Sequence, residues 1–238
     1  MNIRCLSVKF LFFFIPALYA SGQMPSSEAL IWQTAVAIRA GSFTLAPAAI
    51  LYEQYHMDKQ GSMGRPETGR FALAYDEGGK AAISVTWAKR GESDFTAERS
   101  ARLEKQASRR NEFLVYFTPF DPDLQDKLKR SSGTQVFSEG KFLWHYEFSL
   151  PIDKQRSFTG TARVDENGRP YDYSFTMTPK PFYMNVMDIH IDFDPDEEHL
   201  VFSNLDFKYE ASFLFWNWRG GGQAYFDEWK WINAPPRL

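Results

Sequence analysis

Cysteine is all but missing from these 238 residues: Cys5 stands alone, ahead of the first apolar run. Once that N-terminal segment is removed, no disulfide, cysteine metal site or thiol nucleophile is open to the protein, and its stability must come from its core. Histidine is scarce too, with only His56, His145, His190 and His199. Neither an H-E-x-x-H helix nor a G-x-S-x-G elbow occurs, which removes the common zinc-peptidase and serine-hydrolase arrangements. Gly220-Gly221-Gly222 leads toward an expected strand, whereas a phosphate-cradling glycine loop feeds a helix. No catalytic residue, metal or cofactor is therefore expected. Excess charge is absent as well: 27 basic residues face 30 acidic ones, for a net charge of −3. That balance argues against a nucleic-acid partner.

Long apolar runs are also missing. The strongest, Phe10 to Leu18, is about nine residues, against the roughly 20 that a membrane-spanning helix needs, so no transmembrane segment is expected. It follows Arg4 and Lys9 and precedes the small residues Ala20-Ser21-Gly22, the pattern of a cleavable secretory signal. Residues 1–22 are expected to be removed, with cleavage after Gly22 or after Ala20, leaving a periplasmic protein. Loss of Arg4 and Lys9 leaves 25 basic residues against 30 acidic and moves the charge from −3 to −5. No cysteine follows the apolar stretch, so no lipid attachment is expected there. The remaining chain, 23–238, suits a single domain.

What the sequence does contain is period-two alternation from about Thr134 to Ile232. Phe142, Trp144, Tyr146 and Phe148 take one side, and Leu143, His145 and Glu147 take the other. Successive strand side chains point to opposite faces, so the pattern predicts antiparallel strands with one buried and one wet face. The apolar face continues through Phe158, Ala162 and Val164, then Tyr173, Phe175 and Met177, then Met187, Ile189, Ile191 and Phe193. Asp165-Glu166-Asn167-Gly168 predicts a tight hairpin. Farther on come Leu205, Phe207, Tyr209 and Phe213, and the odd step from Phe202 to Leu205 predicts a bulge near Ser203-Asn204. Arg219 to Gly222 is expected to turn the chain into a last strand, Gln223 to Ile232. A face so rich in Trp, Tyr, Phe and Met predicts an adjustable apolar cavity if the covering helices leave a gap, and plain core if they cover it fully.

Before this meander, Ser26-Ser27-Glu28 opens an expected helix over 28–39, with Leu30, Ile31, Trp32, Ala35, Val36 and Ile38 as a wide stripe that should lie on the sheet. The stretch from Phe43 to Arg70, broken by Pro47, Gly61, Gly64, Pro66 and Gly69, predicts at most one short element around Ala48 to His56. Phe71 to Tyr75 and Ala81 to Trp87 flank a glycine-bearing turn and form a hairpin at the sheet's edge. A helical insertion is expected over about 94–129. It comprises a charged helix from Asp94 to about Glu112, the apolar run Phe113 to Phe117, and a brief helix from Phe120-Asp121-Pro122 to about Lys129.

Signal segment, N-terminal apolar helix, interrupted strands and closing meander, with segments such as Gly160-Thr161-Ala162-Arg163-Val164-Asp165 and Asn167-Gly168-Arg169-Pro170-Tyr171, resemble the periplasmic lipoprotein carrier and receptor superfamily of LolA and LolB. The resemblance implies a mainly β (α+β) fold: a curved antiparallel sheet, or half-open barrel, with helices covering the concave face. It also implies a lipid or lipoprotein acyl chain, or another hydrophobic small molecule, held between sheet and helices, and outer-membrane lipoprotein sorting as a setting. On the apolar face, the candidate ligand contacts are Trp32, Trp144, Tyr146, Phe148, Tyr173 and Phe175. Met177, Ile189, Ile191, Phe207, Tyr209 and Phe213 complete the set.

Two other readings stay open. The charged helix 94–112 is a candidate docking surface for an envelope protein partner, which would make the chain a sensor or assembly module. Asp188-x-His190-x-Asp192-x-Asp194, continued by Asp196 to His199, is a candidate for metal-assisted chemistry. Along one strand its side chains stand roughly 6.6 Å apart, so two neighbours can share a cation but three cannot without strain. A calcium loop starting at Asp194 fails, because His199 and Leu205 occupy its glycine and closing-glutamate positions. Trp216, Trp218, Trp229 and Trp231 flank the last hairpin and fit either edge packing or a lipid-facing mouth.

Overall fold

The computed structural model describes residues 26–57, 62–107, 117–195, 197–213 and 216–236. The expected signal segment 1–22 and most of the Phe113–Phe117 run lie outside the described residues. Helix α1 covers Ser27–Gly41 and α2 Thr96–Ala107, and a 3₁₀ turn covers Pro122–Leu124. Strands are β1 (Leu45–Met57), β2 (Glu67–Tyr75), β3 (Ala81–Arg90), β4 (Ser93–Asp94), β5 (Lys129–Arg130) and β6 (Thr134–Ser138). They continue as β7 (Lys141–Pro151), β8 (Ser157–Asp165), β9 (Pro170–Thr178), β10 (Met184–Phe193), β11 (Phe202–Phe213) and β12 (Trp216–Trp231).

All pair antiparallel in one curved sheet, in the order β4-β3-β2-β1-β12-β11-β10-β9-β8-β7-β5, with β6 also on β7, and the sheet is not closed into a barrel. Asp165 caps the β8–β9 turn, its Oδ1 accepting from the amides of Asn167 and Arg169, while Gly168 takes φ +83. The bulge near Ser203 is present: Asp192 pairs with Asn204 but Phe193 with Phe202, so Ser203 is left over and the apolar face is restored. No described helix is long and apolar enough to cross a membrane.

Several expectations change. The mixed stretch after Phe43 is a 13-residue strand, β1, at the centre of the sheet between β2 and β12. Arg219 to Gly222 is not a turn but the interior of the 16-residue β12. The glycines are there to let rings lie flat: a Cβ on Gly220 would stand 2.6 Å from Tyr209 Oη, one on Gly221 2.8 Å from Tyr55 Oη, and one on Gly222 3.0 Å from Phe207 Cε1. The brief helix to Lys129 shrinks to the 3₁₀ turn and the two-residue β5. Phe142 sits at the β6–β7 hairpin end, half exposed against Phe137, whereas Leu143, on the supposedly wet side, is fully buried. On α1, Leu30 faces water, and Arg39 joins Trp32 and Ala35 on the buried face.

Candidate functional site

Register turns the sheet into rows of side chains on its concave face. One row runs Tyr146, Ala162, Tyr173, Ile191, Leu205, Ala224, Tyr52, and the next Phe148, Gly160, Phe175, Ile189, Phe207, Gly222. The row beyond places Leu150, Phe158 and Met177 on one side and Met187, Tyr209 and Gly220 on the other.

Two segments cover part of this face. Trp32 of α1 packs against Phe120 and Tyr146 at ring separations of 4.9 and 5.0 Å, and its indole N–H donates to Gln125 Oε1 at 3.0 Å. Tyr146 Oη donates to the Glu28 carbonyl at 2.6 Å. Phe117 is driven between Phe158 and Phe175, with centroids 5.4 and 5.3 Å away, and its carbonyl accepts from Tyr173 Oη. Under this cover Trp32, Tyr146, Phe148, Tyr173, Phe175 and Ile191 are buried. Those predicted contacts lie in the core cluster. Trp144 is half-buried at the core's margin.

Among the described residues, the cover does not extend to the corner formed by the far ends of β9 to β12. There Met177, Met187, Ile189, Phe207 and Tyr209 are only half-buried. The Phe207 and Tyr209 rings lie nearly parallel, 8° apart, across Gly222 and Gly220, so this corner is a shallow apolar trough with an aromatic floor. Burial pushes the Tyr209 hydroxyl up from its ordinary pKa, and the hydroxyl pairs with His56 Nδ1 at the trough's edge. At the trough's end stand Trp218, 47% exposed, and the edge-to-face pair Phe182 (85%) and Tyr183. Of the predicted contacts, Met177, Ile189, Phe207 and Tyr209 belong to this trough. Phe213 closes β11, and its side chain lies outside the described residues. Phe182 and Tyr183 escaped the sequence reading because they lie in a loop, where no alternation marks them.

The outer face carries a polar band. Across neighbouring strands one row reads Arg163, Asp172, Asp192, Asn204, and the next reads Thr161, Ser174, His190, Asp206. Arg163 Nε donates to both oxygens of the buried Asp172 at 2.9 Å. His190 Nε2 pairs with Asp192 Oδ1 at 2.9 Å, and Nδ1 with Ser174 Oγ at 2.7 Å. The Asp192 bond raises the His190 pKa above the imidazole value despite burial, with Asp172 and Asp206 adding to the pull. The same bond holds the Asp192 carboxyl below its usual range. Of the acidic run read along the strand, His190 and Asp192 converge; the third partner, Asp172, comes from β9, a neighbour that spacing along one strand cannot reveal.

The charged helix is shorter than expected and anchored. In α2 and just before it, Leu103 and Phe95 are buried, and Arg99 Nε lies 3.4 Å from the buried Glu67, which also accepts from Tyr52 Oη at 3.0 Å. The part of the helix expected beyond residue 107 lies outside the described residues.

The molecule is thus an open antiparallel half-barrel with a partial helical cover. Among solved structures it is similar to an outer membrane lipoprotein-sorting protein domain from Vibrio parahaemolyticus, at 10% identity and a TM-score of 0.40, covering 84% of this chain and 93% of that one. It is also similar to a DUF1329 family protein from Desulfovibrio piger, at 6% identity and a TM-score of 0.40, covering 87% and 94%. A third likeness is to the MucA/MucB complex structure of Pseudomonas aeruginosa, at 7% identity and a TM-score of 0.25, covering 88% and 100%. These are likenesses of fold alone. No protein-family model matches the chain. No curated protein matches it.

Proposed function

We propose that the protein is an exported, periplasmic binding protein, released by cleavage of residues 1–22, that holds a lipid or lipoprotein acyl chain without converting it. The observation that carries this reading is the uncovered trough of Met177, Met187, Ile189, Phe207 and Tyr209. Five large apolar side chains of one corner are only half-buried, whereas their row neighbours Phe148, Phe158, Tyr173, Phe175 and Ile191 under the cover are buried. Covering such surface gains about 25 cal/mol for each Å² withdrawn from water, so an acyl chain laid along it is held by its methylenes. Among the described residues, the polar pair at the trough's edge is the Tyr209 hydroxyl with His56. Phe182, Tyr183 and Trp218 form the mouth through which the chain enters.

Native mass spectrometry of protein purified without detergent, followed by organic extraction, tests the reading. A co-purifying lipid mass is expected, together with uptake of a fluorescent fatty acid that Phe207→Glu abolishes while the thermal transition stays intact. An apo mass with no fatty-acid uptake overturns it and makes the aromatic face plain core.

A further inference from the structure

The outer face presents a second site, independent of the trough. Asp172, His190 and Asp192 offer three ligand atoms that all lie within 4.8 Å of one another. His190 Nε2 is 2.9 Å from Asp192 Oδ1 and 3.8 Å from Asp172 Oδ2. Donors sharing one zinc-sized ion, at bonds of about 2.1 Å, stand about 3.0 to 3.4 Å apart, so small side-chain rotations close the set around a cation.

Three features set this cluster apart from a patch of surface acids. Its imidazole is already oriented, since the Ser174 hydroxyl engages Nδ1 at 2.7 Å and leaves Nε2 facing the carboxylates, as metal-ligating histidines are held by a second partner. Its acids outnumber its bases: Asp172, Asp192 and Asp206 surround His190 on neighbouring strands, and the one guanidinium of Arg163 binds Asp172 while its charge also reaches Asp192. Directly opposed carboxylates on paired strands, here Asp172 and Asp192, repel. Finally, the Asn204 amide donates to Asp192 Oδ2 at 3.4 Å and to Asp206 Oδ2 at 2.7 Å, while its Oδ1 is solvent-excluded and has no hydrogen-bond partner. An unpartnered buried oxygen in this network is an acceptor left for an ion or a water.

We propose that Asp172, His190 and Asp192 bind one divalent transition-metal ion of the zinc class on the outer face of the sheet. One imidazole nitrogen with carboxylate oxygens favours such an ion over magnesium or calcium, which take oxygen-only shells. Arg163 orients Asp172, and Ser174 orients His190. Because His190 and Asp192 alternate with Ile189 and Ile191, the ion pins β9 to β10 directly behind the trough.

Calorimetric titration of the chelator-treated full chain with Zn²⁺ alone tests this. One saturable site is expected, lost in Asp192→Asn and in His190→Gln, weakened about tenfold in the positioning variant Ser174→Ala, and unchanged in Asp188→Asn. Bound Co²⁺ should show visible absorption that the same variants abolish. Circular dichroism establishes that each variant is folded; should His190→Gln fail to fold, Ser174→Ala and Asp188→Asn still discriminate. No saturable heat overturns the proposal. So does a Zn²⁺ affinity that survives in both Asp192→Asn and Ser174→Ala, which would place the ion elsewhere.

Discussion

Arg39 Nε and Asp121 Oδ1 meet at 2.7 Å in a place that solvent barely reaches, joining α1 to the segment that opens the 3₁₀ turn. Asp121 Oδ2 also accepts from the Thr118 amide at 3.0 Å, and the Arg39 guanidinium lies over Phe43 and Phe202. One pair therefore locks together the two segments that cover the sheet. Removing one member of a buried pair strands the other charge, at about 3 to 5 kcal/mol. Arg39→Ala should lower stability by that amount in urea unfolding; a loss under about 1 kcal/mol would mean that the cover is held by its aromatic contacts alone.

The trough's floor depends on residues without side chains. A Cβ on Gly222 would run into the Glu53 carbonyl and crowd Phe207. Gly222→Val should cost about 1 to 3 kcal/mol through overpacking and should displace the Phe207 ring. Thermal unfolding measures the first effect and fatty-acid uptake the second. A fully stable variant with normal uptake would show that the ring does not need the bare backbone.

Burial pushes the hydroxyls of Tyr52 and Tyr146 up to about 12. An unfolded tyrosine ionises near 10, so folding keeps both neutral where the unfolded chain would lose protons. Their contribution to stability is complete below about pH 10 and is lost as pH rises through about 12. Phenolate absorbance should therefore show a late group, Tyr52 and Tyr146 among it, that ionises only as the protein unfolds. Early titration of all of them would contradict their burial.

Phe182, 85% exposed, contributes little to the core. Phe182→Ser should change stability by no more than about 0.5 kcal/mol yet slow fatty-acid uptake, as stopped-flow fluorescence would read. Unchanged uptake would remove the loop from the ligand's path.

Where alternation was long and unbroken, from Phe158 to Tyr209, the sequence identified strands, faces and even the Ser203 bulge, because period two has one structural meaning. It failed where a strand's side chains answer to something other than a plain core. In β1, Glu53, Gln54 and His56 interrupt the pattern because Glu53 faces out and His56 lies at the trough's margin. Gly220 to Gly222 look like a turn, and only the rings of Tyr209, Tyr55 and Phe207 explain them as strand. The trough was legible as residues but not as a place, since Phe175 and Phe207 share a row and only the cover, 117–121, decides which of them meets water. The pairing of Asp172 with Asp192 depends on register between two strands, a quantity no single strand carries.

The central seam of the sheet joins Leu45–Met57 to Trp216–Trp231, the first long strand to the last. A chain delivered from its N-terminus cannot begin to zip that seam until Arg219 has arrived to meet Met57, nor finish it before Trp231 meets Leu45, so the middle of the structure waits on its latest part. Such distant pairing must meet its loop-closure entropy in advance, which makes folding slow relative to a helical chain of the same size. Until then β1 and β11 each present a raw edge open to pairing with another molecule. Folding of this protein is therefore an act of completion, sensitive to any truncation beyond Trp216 and indifferent to how early its N-terminal half is made.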